Sequence, residues 1–396
     1  MAFHLLFVHR MPLFTASKAL EDIQNSMLAV FSFCRALSEN KDFKITLLLP
    51  ASKNTEQDLS GFKENNFPEG LDFEVQFVSN YLNSKRISKY VLHEYAKKIR
   101  GINPDLVYSR DVKICRLAIN NNIPAIVELH SPYLHNKYSL IDNLLKFRLK
   151  QLSFNKNLIE IVTVSNALKE YWKKKGLCSS KFRVERNSFD KNRLLPKLSK
   201  EESRLLLQWP LDKKIAVYTG SLWPERGTES IIHLAKMAPD IMFYIIGGPR
   251  RFRENYEKLV TEMNLCNVSF TGLVPHTVIS RYLYAADVLL ATFSDKIPTI
   301  NYCSPLKIFE YMASGRIIIA HSYPTIAEVL TDNETAYLVR PGDLNNFKEK
   351  LMEAFSSSES KKLVANAMEI AYNQYTWEKR AERLISSISG KLKYNE

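Results

Sequence analysis

The sequence predicts an α/β protein of two doubly wound domains in tandem, and three observations carry that reading. Short runs dense in Val, Ile and Leu alternate with helical stretches along most of the chain. Near-continuous apolar runs of this kind suit parallel strands buried on both faces. The rhythm stops once, in a polar stretch at 187–210, and then restarts. With 396 residues and 45% apolar content, the chain also exceeds what one hydrophobic core usually covers.

Taken in order, strands are expected at 3–8, 44–49, 73–78, 105–109, 124–129 and 159–164. The polar stretch reads as a linker, with the boundary placed after residue 190. A second series follows at 215–219, 242–246, 268–271, 288–291, 317–320 and 336–339. The domains are therefore 1–190 and 191–375, and the tail at 377–392 reads as one helix with Ala381, Leu384, Ile385 and Ile388 on an apolar face.

Composition narrows the function classes. No apolar run reaches the roughly 18 residues of a spanning helix, and no signal-cleavage pattern follows the first strand. Five scattered cysteines without a Cys-x-x-Cys pair fit neither a disulfide framework nor a zinc site, so a reducing cytoplasm is expected. A net charge of +13 favours anionic partners without choosing among phosphates, nucleic acid and acidic lipid. There is no Asp-x-Asp, His-x-x-x-His, Gly-x-Ser-x-Gly or Walker loop, which argues against a metal-chelating transferase, a zinc hydrolase, a serine esterase and a P-loop enzyme.

The most informative window runs from Ser304-Pro305-Leu306-Lys307 through Glu310 to Ser314-Gly315. Ser304 suits an N-cap, Pro305 the first helical position and Gly315 the residue past the end. Lys307 is out of place there, because a cation in the first turn opposes the helix dipole by roughly 0.3–1 kcal/mol. An anion docked at this N-terminus reverses that sign. Glu310, three residues on, either accepts hydrogen bonds from paired sugar hydroxyls or simply pairs with Lys307. Elsewhere, Gly247-Gly248 follows a strand at the carboxyl end of a sheet, where ligands of open α/β sheets gather, although a plain turn needs no ligand. His130 ends the strand Ile126-Val127-Glu128-Leu129 and is the strongest of eight histidines for a role. Arg10 and Lys18 after the first strand are potential phosphate cations or plain solvated ones.

With these residues in view, the sequence resembles the GT-B retaining glycosyltransferases of the large nucleotide-sugar-dependent family called glycosyl transferases group 1. The likeness rests on the 304–315 window continuing to Glu328-Val329-Leu330. Supporting it are Val162-Thr163-Val164-Ser165, Tyr218-Thr219-Gly220, Glu225-Arg226-Gly227, Phe270-Thr271-Gly272, Ala285-Ala286-Asp287-Val288 and Thr376-Trp377-Glu378-Lys379-Arg380. It implies two Rossmann-like domains facing across a cleft, the first on the acceptor side and the second binding the nucleotide sugar, with the helix at 376–396 packing back on the first. It implies transfer of a sugar from a nucleotide-diphosphate donor to a hydroxyl acceptor with retention, in cell-surface glycan or glycolipid synthesis, with no metal and no cofactor.

Carried over by position, the resemblance makes His130, Arg226 and Lys307 the catalytic residues. Gly220, Ser221, Arg226, Gly248, Val274, Ser304, Lys307 and Glu310 bind the donor: Glu310 holds the ribose, the Ser304 helix end receives the diphosphate, and the backbone at Val274 reads the base. Two departures stand out. Tyr302 occupies the place of a second Glu, and Ser221 that of an Arg. Two other readings stay open: an epimerase acting on the same nucleotide sugars, and a basic nucleic-acid-binding protein, for which no RNP, KH or helix-turn-helix signature exists.

One further stretch, 137–156, places Ile141, Leu144, Leu145 and Leu152 near one helical face, with Lys146, Arg148 and Lys150 turned away. It reads either as a domain helix covering the sheet or as a contact with an anionic membrane surface that delivers a lipid-linked acceptor, on the cytoplasmic side.

Overall fold

The computed structural model describes residues 2–10, 25–51, 55–78, 89–135, 139–356 and 359–392. The chain forms two compact units: Met1–Arg186 with Tyr302–Ser304 and Trp377–Glu396, and Asn187–Asn301 with Pro305–Thr376.

The first unit is built on seven strands, β1 (Phe3–Val8), β2 (Phe43–Pro50), β3 (Glu74–Val78), β4 (Leu106–Ser109), β5 (Ala125–Leu129), β6 (Leu158–Thr163) and β7 (Phe182–Val184). They pair in parallel in the order β3-β2-β1-β4-β5-β6-β7. The order reverses between β1 and β4, and the loops leaving their carboxyl ends therefore part to opposite faces and open a crevice. Leu5, Leu6, Phe7 and Val8 have no exposed surface, because helices cover both faces of β1. The helix Trp377–Leu392 belongs to this unit and packs on the helix Asn25–Ser38. It buries Trp377, Ala381, Leu384 and Ile388, with the Trp377 and Phe33 rings 5.9 Å apart.

The second unit has six parallel strands, β8 (Lys214–Thr219), β9 (Ile241–Ile246), β10 (Val268–Gly272), β11 (Val288–Ala291), β12 (Ile317–His321) and β13 (Tyr337–Val339). Their order is β10-β9-β8-β11-β12-β13, with the reversal between β8 and β11. Among the described residues no helix is long and apolar enough to cross a membrane.

Three features differ from the sequence reading. Strand β7 was not expected: its three residues are all half-buried, and its middle residue, Arg183, is an ion-pair partner of the buried Glu160 at 2.8 Å. The stretch read as linker holds the helix Lys200–Leu207, fixed by a capping box in which Ser199 and Glu202 each bond the other's backbone N–H. Its Arg204, 1% exposed, donates to the Ala285 and Lys213 carbonyls and pairs with Asp287 at 2.7 Å, so a cation there is a structural staple. In the helix Leu140–Ser153, Leu145, Leu149 and Leu152 are buried, whereas Ile141 and Leu144, expected on the same face, are 49% and 47% exposed. The buried arc is narrower than a helical wheel suggests, because Asp142 occupies part of it, accepting from the Leu134 and His135 N–H groups.

Candidate functional site

In the second unit the carboxyl ends of β8, β9 and β10 converge through glycines. The Gly220 N–H donates to the Ile246 carbonyl at 3.0 Å, and the Gly247 N–H to the Gly272 carbonyl at 2.8 Å. Gly248 has φ +78°, and a Cβ there would lie 2.2 Å from Leu222 Cγ. Only glycine fits this turn. Gly248→Ala is accordingly expected to cost more than about 1 kcal/mol, read as a lower urea midpoint, and a neutral outcome would mean the turn is not tight.

Beside these turns lies the start of the helix Leu306–Ala313, whose Ile308, Phe309, Tyr311 and Met312 are buried. Tyr311 fixes it to the end of β8: its phenolic oxygen accepts the Thr219 N–H at 2.8 Å. The N-cap is Pro305, extended at φ −69°, ψ 122°, and not Ser304 as expected. With its ψ extended, Pro305 cannot be the first helical residue, so the helix begins one residue later, and its cap residue has no side-chain oxygen to offer. Ser304 is buried and counts with the first unit.

Lys307 reaches from the first turn toward Gly220, where a Cβ would stand 3.1 Å from Nζ. The ammonium lies 3.8 Å from the Tyr218 ring centroid and 5.2 Å from that of Phe293. It is buried without a hydrogen-bond partner. Burial, and next the Arg226 charge, hold its pKa well below the usual lysine range, against the pull of Glu310. Arg226 is half-buried in the turn Pro224–Arg226. Glu310 is half-buried, and burial raises its pKa while Arg193 and Lys307 oppose. Arg193 comes from the stretch read as linker and was not anticipated as a neighbour. Ser221 contributes its carbonyl to the Tyr218 hydroxyl at 3.3 Å, and Val274 is half-buried just past β10.

Within the second unit, Gly220 lies beside the Lys307 Nζ, the charges of Arg226 and Glu310 act on that ammonium, and Ser221 and Gly248 lie in the turns after β8 and β9. His130 and Ser304 belong to the first unit. So does Tyr302, whose ring packs 5.4 Å from that of Tyr171 while its carbonyl accepts the Ser165 hydroxyl at 2.8 Å. The residue standing where the family has a second Glu is thus a packing residue.

In the first unit, a cavity of about 580 Å³ opens at the carboxyl ends of β1, β4 and β5, lined among others by Arg10, Arg110, Lys113, Glu128, His130 and His135. Lys18 lies outside the described residues. Glu128 has no exposed side-chain surface. It accepts from the Tyr108 hydroxyl at 2.7 Å and pairs with Arg110 at 3.3 Å and Arg380 at 3.0 Å. Burial favours its neutral form, but the Arg110 and Arg380 guanidiniums outweigh it and hold the carboxyl well below the usual range. An ionised carboxylate can only accept, so His130, bonded to Glu128 through Nε2, donates there and keeps Nδ1 as an acceptor. Burial and Arg110 depress the His130 pKa to about 4, which leaves a neutral ring. Sequence reasoning missed Glu128, Arg110 and Arg380. The signal was a carboxylate inside an otherwise apolar strand, which requires charged partners. Among the described residues no group of three or more His, Cys, Asp or Glu side chains could hold a metal ion.

Comparison with known proteins fits this geometry. Residues 199–374 match the family model described as "Glycosyl transferases group 1". The sulfoquinovosyl transferase SQD2 of Arabidopsis thaliana is 22% identical over 204 residues, 50% of this chain and 38% of that protein. The 2-deoxystreptamine N-acetyl-D-glucosaminyltransferase of Niallia circulans is 28% identical over 162 residues, 39% of this chain and 40% of its own length. The chain thus spans less than half the length of these curated relatives. Among solved structures, sucrose-phosphate synthase from Thermosynechococcus elongatus superposes with a TM-score of 0.75 at 15% identity, over 100% of both chains. Anabaena HepE in complex with UDP does so with a TM-score of 0.76 at 15% identity, over 98% of this chain and 100% of that one. The fold is that of the GT-B glycosyltransferases.

Proposed function

We propose that the chain, whose residues 199–374 match the glycosyl transferases group 1 model, transfers a sugar from a nucleoside-diphosphate donor to a hydroxyl acceptor with retention. The observation that carries this reading is the Lys307 ammonium, buried, unpartnered and set beside Gly220 and Arg226. A buried cation without a counter-ion is costly unless a ligand supplies one. A diphosphate does so. Lys307 and Arg226 bind it, Glu310 accepts from the ribose hydroxyls, and the backbone at Val274 meets the base. In the reaction the bond from the sugar's anomeric carbon to the diphosphate breaks, one to the acceptor oxygen forms, and the acceptor proton passes to the departing phosphate. The two cations stabilise that charge. They supply what a metal otherwise would, and transfer in EDTA at an unchanged rate is expected.

The test is a donor screen by thermal protection, in which a ligand at 100 times its Kd adds about 2.7 kcal/mol. UDP, bound in the HepE structure, is the first to try. Protection by no nucleoside diphosphate, with no transfer from any nucleotide sugar, overturns the reading. Isomerised donor in the absence of acceptor would make it an epimerase.

We place the acceptor at an anionic membrane surface. Leu140, Leu144, Phe147 and Phe154, 88%, 47%, 59% and 65% exposed, recur at helical spacing on the outer face of the helix Leu140–Ser153 and just past its end, flanked by Arg148 and Lys150. Lys146 is excluded from that role, being paired with Asp142 at 2.7 Å. Co-sedimentation with phosphatidylglycerol vesicles but not phosphatidylcholine vesicles, lost in Leu144→Ser with Phe147→Ser, is expected. Binding indifferent to lipid charge removes the membrane.

A further inference from the structure

The first-unit cavity has a charge imbalance that the proposed transfer does not use. Four cations, Arg10, Arg110, Lys113 and Arg380, stand at or just behind its wall against two carboxylates, Asp111 and Glu128. Both carboxylates are already committed, Asp111 to Arg10 and Glu128 to Arg110 and Arg380. Lys113 makes no ion pair among the described residues. The Nε of Arg110 and the Nε2 of His9, at the ends of β4 and β1, are buried without partners. Burial and the neighbouring Arg10 lower the Lys113 pKa, as crowding of like charge does. His130 adds no charge at neutral pH, since its pKa is depressed to about 4. The cavity, about 580 Å³, lies in the range of small-molecule sites and has room for a phosphorylated hexose.

We propose that this cavity is the acceptor site and that the acceptor carries a phosphate group, held by Lys113 and the free edge of Arg110, with its hydroxyl toward His130. The inference rests on the transferase reading for the word acceptor and on the cavity alone for the phosphate. A guanidinium edge and an ammonium together match phosphate oxygens as they match no neutral sugar. The phosphate comes either from a soluble sugar phosphate or from a phospholipid head.

The experiment titrates the full chain with inorganic phosphate, D-glucose 6-phosphate and D-glucose, followed by thermal protection, in the wild type, Lys113→Gln and Lys307→Gln. Lys113→Gln orphans no carboxylate, so folding should survive; a circular dichroism melt checks it. D-glucose 6-phosphate is expected to protect the wild type and Lys307→Gln alike, with affinity at least tenfold weaker in Lys113→Gln, while D-glucose protects none. Loss in Lys307→Gln instead moves the phosphate to the second unit and overturns the proposal. Equal protection of all three by any anion also overturns it. Should D-glucose 6-phosphate fail while phosphatidic acid in micelles protects in a Lys113-dependent way, the source is a lipid head and the site stands. Protection by UDP, measured in parallel, decides the transferase reading separately: with UDP binding intact and no phosphate response, only the acceptor proposal falls.

Discussion

Lys307→Met is expected to abolish most sugar transfer while leaving the protein as stable as the wild type or more so. The two halves of that result have one cause. The Lys307 ammonium is buried, contacts the Tyr218 face at 3.8 Å and has no hydrogen-bond partner. The Tyr218 ring returns only part of the hydration it loses. Its folded pKa lies well below the unfolded value, so at neutral pH the unfolded chain holds the proton more readily, and this group opposes folding there. Methionine fills a similar volume without the charge. A diphosphate donor, in contrast, loses a charge-assisted bond of about 1.5–3 kcal/mol, roughly a ten- to hundredfold drop in kcat/KM or more where that charge grows in the transition state. Glu310→Ala should lower donor affinity without that gain. Urea denaturation beside steady-state kinetics checks both, and a variant that keeps wild-type kinetics places the donor elsewhere.

The sequence made the sheets legible because buried parallel strands must be almost wholly apolar. Runs such as those at 215–219 and 317–320 admit no other reading at their length. Strand β7 and the helix Lys200–Leu207 were hidden for the opposite reason: their stability comes from polar pairings, Arg183 with Glu160 and Arg204 with Asp287, made to residues far along the chain. Lys307 and Glu310 were singled out by local oddity, a cation in a first helical turn with a carboxylate three residues on, and Gly247-Gly248 by their place at a strand end, whereas Gly220 and Arg226 came from the resemblance. The cap was placed one residue early because Ser-Pro suits an N-cap followed by the first helical residue, whereas the extended ψ of Pro305 starts the helix at Leu306. The Glu128 cluster escaped because its partners are spread from residue 108 to residue 380, and no spacing rule links them.

That cluster gives the largest expected effect on stability. Arg380 is 1% exposed, pairs with Glu128 at 3.0 Å, and its guanidinium lies 4.7 Å from the Phe33 ring centroid and 5.4 Å from that of Trp377. Arg380→Leu keeps the aliphatic packing but leaves a fully buried carboxylate with one guanidinium fewer, which costs about 3–5 kcal/mol. The sign of the pH dependence separates this cause from simple loss of packing. In the wild type the Glu128 pKa lies well below its unfolded value, so its contribution is fully present above that unfolded value and is lost only as pH falls through the depressed one. Without Arg380 the folded pKa rises, and a protonated Glu128 no longer needs the missing charge. The difference in unfolding free energy between wild type and Arg380→Leu should therefore be largest at neutral pH and shrink on acidification. Adding Glu128→Gln should recover part of the loss, as coupled partners do in a double-mutant cycle. A penalty independent of pH, with Glu128→Gln purely additive, would mean that Arg380 acts through its stacking on Trp377 and Phe33, and that the carboxylate is held by Arg110, Tyr108 and His130 without it.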